Sequence, residues 1–256
     1  MTTYKAPTED MMFLFNELLD NKHFKEIDEY KEVNKDLVQS IISEAAKMTE
    51  NIVFPLAKTG DDHGCKLENG VVRTPPGYKE AYEKFIVDGW TSLACDPKYG
   101  GQGLPKSISI FFDEMMTSSS LSFKLYSELT HGAYNCIYYH ASEEIKNKFL
   151  TKMVEGKWSG TMCLTESHCG TDLGILRTKA VPQDDNSYKI TGQKIFISCG
   201  DHDLTENIIH LVLARLPDSP AGTKGISLFL VPKFNVNNDG SIGTRNRVTT
   251  GSIEQK

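Results

Sequence analysis

The sequence predicts an α+β fold, an N-terminal all-helical domain followed by a small antiparallel β domain. Three observations carry that prediction. Up to residue 157, apolar residues recur at helical spacing. From Trp158 onward they fall in short β-branched or alternating runs broken by Gly, Pro, Asp and Asn. The two patterns follow one another without alternating, which argues against a doubly wound parallel sheet.

After Pro7 and Thr8 as entry signals, residues 10–20 place Met11, Phe15, Leu18 and Leu19 at helical spacing, up to Asp20. A longer helix from Asn34 carries Leu37, Val38, Ile41, Ile42, Ala45 and Met48 as one stripe, and Pro55 is expected to end it. Residues 59–76 are rich in Gly, Asp, Asn and Pro and read as loop. Residues 78–88 read as a short helix with Tyr82, Phe85 and Ile86 inward, and residues 99–105 as a turn with proline at a helix start. Helices are expected over 106–117, 121–140 and 143–155, the last capped by Ser142 with Glu143 and Glu144 in its first turn. Strands are expected over 158–165, 177–183, 188–197, 208–216 and 226–231, with Asp184 to Ser187 as a hairpin loop. The domains are then an extension over 1–33, a helical domain over 34–157 and a β domain over 158–256.

Charged residues at 24% and apolar residues at 39% exclude a disordered chain or a coiled coil. No apolar run approaches the ~18 residues needed to span a bilayer, and the polar residues 1–10, with Glu9 and Asp10, are not a secretory signal. Six cysteines without a Cys-x-x-Cys pair give no zinc or redox motif, so reduced thiols and a cytoplasmic location are expected. The net charge is −6 and the densest basic cluster is only Arg245, Arg247 and Lys256, which disfavours nucleic acid.

Gly100 to Gly103 fails the dinucleotide-binding spacing because Lys106 occupies the final glycine position. Asp201, His202 and Asp203 are adjacent residues pointing in different directions, and read as a solvated loop rather than a metal site. Cys163, Cys169 and Cys199 read as small buried hydrophobes, and His131 and His140 as packed or capping. Two segments stand out. Cys163 to Gly174 follows a strand with small residues, the hydroxyls of Thr165 and Thr171, and a Gly-Thr-Asp that lets backbone N–H groups approach an anion. An ordinary Asx turn explains it equally well. Ile190 to Ser198 ends a strand with an aromatic ring at Phe196 and a hydroxyl at Ser198, which could cover and edge a planar cofactor; taken alone it is an ordinary strand.

Together the two segments resemble the acyl-CoA dehydrogenase family. Cys163 to Asp172 follows the family pattern small–aliphatic–Thr–Glu–x–x–small–Gly–Ser/Thr–Asp, with Cys169 where alanine is commoner. Phe196-Ile197-Ser198 corresponds to the family's aromatic–Ile–Thr segment, with ring and hydroxyl both kept. Residues 149–158 look like the family's approach to its β domain. Residues 4–19 resemble the N-terminal extension of a large-subunit branch that includes the 3-methylmercaptopropionyl-CoA dehydrogenases, and residues 169–177 fit that branch too.

The resemblance implies FAD as cofactor, no metal, and α,β-dehydrogenation of an acyl-CoA thioester, with electrons passed to an electron-transfer flavoprotein. The cofactor-binding positions it implies are Met162, Leu164, Thr165, Gly170, Thr171, Phe196, Ile197 and Ser198. Leu164 and Thr165 would contact the isoalloxazine and Gly170 and Thr171 the pyrophosphate, Thr171 also lying near the substrate's pantetheine arm. Phe196 would cover one flavin face and Ser198 would reach N5. The family's four-helix bundle, which carries its catalytic Glu and most of its oligomer contacts, has no counterpart in residues 1–256. The chain is therefore expected to be a fragment of a longer, homo-oligomeric protein and inactive alone, with no catalytic residue of its own; Glu166 is expected to order its turn. Two alternatives stay open, a relative of the alkylation-response flavoproteins that associate with DNA and a non-catalytic flavin-binding fragment.

Overall fold

The computed structural model describes residues 3–19 and 21–254; Asp20 and Lys256, named above, lie outside them. Helix α1 (Thr8–Phe13) runs on as a π-helical turn over Leu14–Leu18 and buries Met11, Met12 and Phe15. Helix α2 (Lys35–Met48) starts where Asn34 Oδ1 accepts the Leu37 N–H at 3.0 Å, an N-cap that satisfies one orphan donor.

Pro55 does not end this helix. A π-helical turn over Thr49–Val53 widens it and α3 (Phe54–His63) resumes, with Pro55, which has no N–H to donate, directly after the widened turn. The helix stops at Gly64, whose φ of 60° is left-handed. The expected loop also contains a hairpin of β1 (Lys66–Glu68) and β2 (Val71–Arg73). Its turn is Asn69-Gly70, both at positive φ, a turn pair that matches strand twist.

Helix α4 (Tyr78–Val87) lies as expected. The two helices expected between 106 and 140 are both present; they are written together as α5 (Lys106–His140) and meet at a break at Ser120, with φ −160° and ψ 94°. Lys124, almost fully buried, reaches back across that break to Asp113 Oδ1 at 2.6 Å. In α6 (Glu143–Val154) the Ser142 hydroxyl accepts the Ile145 N–H at 3.4 Å.

The chain divides into two compact units. The first comprises Met1–Cys65, Thr74–Ser127 and Leu150–Gly156. Its core is aromatic and sulfur-rich: Tyr78 meets Phe123 edge-on at 5.5 Å, Phe85 stacks on Phe112 at 6.0 Å, and Met115, Met116 and Met153 are fully buried. The second unit comprises Lys66–Arg73, Glu128–Phe149 and Lys157–Lys256. It holds a five-stranded sheet of β3 (Trp158–Cys163), β4 (Lys179–Pro182), β5 (Tyr188–Thr191), β6 (Asn207–Arg215) and β7 (Ile226–Pro232). A separate pair, β8 (Phe234–Val236) and β9 (Ile242–Arg245), was not expected. Within this unit Phe149 packs on Trp158 at 5.9 Å and Thr130 Oγ1 accepts the Gly160 N–H at 3.1 Å.

The α+β organisation is as the sequence predicts, but the main sheet is mixed rather than antiparallel throughout. Central β6 pairs with β3 in parallel from Trp158↔Asn207 to Cys163↔Val212, with β4 in parallel at Lys179↔Arg215, and with β7 antiparallel. The long segment between β3 and β6 permits a crossover, and period-two alternation reads the same in either direction. The expected strand over 188–197 stops at Thr191. A Cβ at Gly192 would lie 2.2 Å from Thr178 Oγ1, and Phe196 and Cys199 adopt φ of 56° and 52°, which no strand accommodates. Among the described residues no helix is long and apolar enough to cross a membrane.

Candidate functional site

The two singled-out segments both lie in the second unit. Along β3, Ser159, Thr161 and Cys163 are buried on one face while Met162, on the other, is 37% exposed. The chain leaves the sheet at half-buried Leu164 and Thr165 and closes a tight turn. Glu166 N–H donates to Cys169 O at 2.8 Å and Cys169 N–H to Glu166 O at 3.1 Å. Gly170 follows; a Cβ there would meet Thr165 Cγ2 at 3.3 Å, so glycine keeps the turn close to Thr165. Thr171 is exposed. Asp172 Oδ1 accepts the Gly174 N–H at 2.9 Å, an Asx turn that starts the short 3₁₀ segment Leu173–Ile175.

Backbone and side-chain bonds bring the second segment against the first. Ile195 N–H donates to Thr165 O at 2.9 Å, and Lys194 Nζ donates to Leu164 O at 3.1 Å. The next residue is Phe196, 47% exposed on its left-handed backbone. For a bulky residue this conformation is an outlier of the kind that collects at functional sites. Ile197 and Ser198 are half-buried beyond it. Leu164, Thr165 and Phe196 are thus neighbours through Lys194 and Ile195.

Glu166 does more than order its turn. Its side chain is 4% exposed. Its carboxylate accepts from Arg177 N–H at 2.8 Å, from Thr178 N–H at 2.9 Å, from the Thr178 hydroxyl, and from Lys194 Nζ at 2.9 Å. Burial by itself would raise its pKa, but the bonds from Thr178, Arg177 and Lys194 outweigh it and hold the carboxyl at about 2. A carboxylate so saturated is permanently ionised at neutral pH and is no general base. His168 and Cys169 offer ligand atoms within 4.8 Å of it. The metal reading fails on chemistry: the carboxylate oxygens are already committed, and His168 Nε2 faces the Ile175 carbonyl at 3.1 Å, where it must carry a proton.

Sequence reasoning missed Lys194, Thr178 and Arg215. Arg215 donates to Leu176 O at 2.9 Å, Gly174 O at 2.6 Å and Gly222 O at 2.7 Å, pinning the loop that follows Thr171. No sequence signal marked them: Lys194 directly precedes Ile195 and Phe196 in a segment that reads as an ordinary strand.

The stretch Asp201 to Asp203 is not a solvated loop. His202 is 2% exposed, Asp201 is ion-paired with buried Lys233 and accepts from Thr250 Oγ1 at 2.9 Å, and Asp203 meets Arg73 at 3.4 Å. Tertiary partners from β2, from Lys233 just beyond β7 and from Thr250, none of them near in sequence, account for the difference. Cys163 and Cys169 are buried and Cys199 half-buried; burial pushes the Cys163 thiol up, so it is no thiolate nucleophile. His131 stacks on Tyr134 at 6.0 Å. In the first unit, a cleft of about 650 Å³ is lined by residues including Met48, Ile52, Trp90 and Leu93, and by none of the predicted site residues.

Comparison with known proteins gives three further findings. Residues 38–157 match the family model "Acyl-CoA dehydrogenase, N-terminal domain" and residues 161–252 match "Acyl-CoA dehydrogenase, middle domain". The chain is similar to the 3-methylmercaptopropionyl-CoA dehydrogenase of Ruegeria pomeroyi, 42% identical across 99% of this chain and 43% of that protein. It is similar to a butyryl-CoA dehydrogenase of Syntrophomonas wolfei, 40% identical across 99% of this chain and 42% of that one. It therefore spans less than half the length of these relatives. Among solved structures it resembles the butyryl-CoA dehydrogenase of Megasphaera elsdenii, with a TM-score of 0.61 and 26% identity over 77% of this chain and 48% of that one.

Proposed function

From the premise that this chain belongs to the acyl-CoA dehydrogenase family and carries its N-terminal and middle domains, we propose that it forms the flavin-binding part of an FAD-dependent acyl-CoA dehydrogenase. The observation that carries the reading is Phe196, an exposed ring on a left-handed backbone, held beside Leu164 and Thr165 by the Lys194 and Ile195 bonds. The donor set fits the cofactor. An aromatic face, the hydroxyls of Thr165, Thr171 and Ser198, and a tight turn at Gly170, where a Cβ would crowd Thr165, suit a planar ring with polar edges and a phosphate arm.

The residues that would hold FAD are Met162, Leu164, Thr165, Gly170, Thr171, Phe196, Ile197 and Ser198, and the chemistry it would supply is that of an acceptor for the thioester's β-hydride. The chain's own residues orient. Leu164 and Thr165 would hold the isoalloxazine edge, with Met162 alongside; Gly170 and Thr171 would hold the pyrophosphate; Phe196 and Ile197 would exclude water from one ring face; Ser198 would donate toward the ring edge. Glu166, ionised and saturated, takes no proton from substrate in this scheme. The substrate class is an acyl-CoA thioester, and the 42% identical relative favours 3-methylmercaptopropionyl-CoA. Electrons leave to an electron-transfer flavoprotein.

Titration of FAD with the purified chain tests the reading. Binding near one flavin per chain, followed by flavin fluorescence, is expected; no binding at micromolar chain and cofactor overturns it. With FAD loaded, 3-methylmercaptopropionyl-CoA should perturb the visible flavin band at lower concentration than butyryl-CoA, and equal potency removes the finer substrate assignment.

A further inference from the structure

Lys194 is 10% exposed and its Nζ is divided between the Glu166 carboxylate at 2.9 Å and the Leu164 carbonyl at 3.1 Å. Burying this ion pair costs desolvation, and an apolar residue of similar length at 194 would fill the same space without that cost. What the apolar residue could not do is hold a backbone carbonyl. In a planar trans peptide the C=O and the following N–H point in opposite directions. Drawing the Leu164 C=O toward Lys194 therefore turns the Thr165 N–H the other way. The next peptide is fixed as well, because Thr165 C=O accepts from Ile195 N–H at 2.9 Å and Glu166 N–H is held by Cys169 O at 2.8 Å. Both peptides flanking Thr165 are thus set from the 194–195 segment, one residue before Phe196.

We propose that Lys194, anchored by Glu166, is a positioning residue of the flavin site: it sets the peptide between Leu164 and Thr165 so that the Thr165 N–H and hydroxyl face the isoalloxazine edge, and it sets Phe196 in register with them. This rests on the flavin-binding reading above. Lys194 touches neither cofactor nor substrate; it acts through Thr165 and Phe196.

The test compares the purified chain with Lys194→Met, Lys194→Arg and Glu166→Gln, each measured for FAD affinity and for visible circular dichroism at saturating FAD. Lys194→Met is expected to bind FAD about tenfold more weakly, the loss of one charge-assisted bond. It is also expected to change the shape of the flavin dichroism even when saturated, because the pose itself shifts. Lys194→Arg, which can still reach a carbonyl and a carboxylate, should recover most of both. A Lys194→Met protein with wild-type affinity and wild-type dichroism overturns the proposal. So does a variant whose weaker binding comes with an unchanged saturated spectrum, since that reports lost stability alone. If Lys194→Met does not fold by far-UV dichroism, Glu166→Gln, nearly isosteric, carries the test on the same criteria. Failure of the wild-type chain to bind FAD at all is a different result and overturns the functional reading itself.

Discussion

Phe196 leaves about half of its surface in solvent on a backbone that costs a non-glycine residue about 1–3 kcal/mol. A residue that neither fills the core nor relaxes its backbone is explained by what it presents. Phe196→Gly relieves the left-handed strain and adds chain entropy to the unfolded state, two effects of opposite sign. Stability in urea should then stay within about 1 kcal/mol of wild type while FAD affinity falls; a large loss of stability would make the ring a core residue instead. Gly192 is the converse case. Its missing side chain lets Thr178 come close enough to reach Glu166, and a Cβ there would stand 2.2 Å from the Thr178 hydroxyl oxygen. Gly192→Ala should lower stability by about 2 kcal/mol through overpacking, read as a shift in the urea midpoint at unchanged slope.

Strand β6 is the element on which the second unit is built, and one of its faces is polar inside. His210 Nδ1 lies 2.7 Å from Thr161 Oγ1 on paired β3, with Cys163 Sγ at 3.8 Å, and its Nε2 is buried with no hydrogen-bond partner among the described residues. Beside it, His202 Nδ1 accepts the Leu204 N–H at 3.2 Å, so Nε2 carries the proton and donates to Ser159 Oγ at 2.9 Å. Burial first, and the Lys233 ammonium second, hold the His202 pKa down at about 4 against the opposing pull of Asp201 and Asp203. Burial likewise holds His210 at about 4. Both folded values lie below the unfolded 6.5, so the unfolded chain binds protons that the folded chain refuses. Stability is therefore full above pH 6.5 and falls as pH drops toward 4, by on the order of 3 kcal/mol per histidine at most. Urea midpoints at pH 7 and pH 5 check this, and equal midpoints would contradict it. Glu166 contributes in a lower window, because its stabilisation is complete above 4.5 and lost only as pH approaches 2.

On the scale of the whole molecule, a ligand that binds only the folded chain stabilises it by mass action. At FAD a hundredfold above its dissociation constant the gain should be about 2.7 kcal/mol. Its location is the sharper prediction. Hydrogen exchange should slow on FAD addition over residues 164–171 and 194–198 and stay unchanged in α2 of the first unit, where no predicted cofactor residue lies. Protection centred on α2, beside the cleft lined by Met48 and Trp90, would move the cofactor site to the other unit.

Much of this was legible in the chain itself. Helical stripes such as Val38 to Met48 and the change of period at Trp158 follow from local side-chain spacing, which is why element types held along most of the length. The pattern from Cys163 to Asp172 and the Phe-Ile-Ser segment pointed to the family for the same reason, since small residues and hydroxyls at fixed positions along a strand end are visible in one dimension. Asn69-Gly70 was legible too and passed over. What tertiary structure decided was everything that depends on distant partners. The direction of β3 against β6 cannot be read from alternation. The end of β5 depends on Thr178 crowding Gly192. Asp201 and His202 look solvated until Lys233, Ser159 and Thr250 close around them. Lys194 is one more surface lysine in the sequence; only the folded chain sets it between Glu166 and Leu164, because spacing along a chain encodes which face a residue takes but not which residue will stand opposite it.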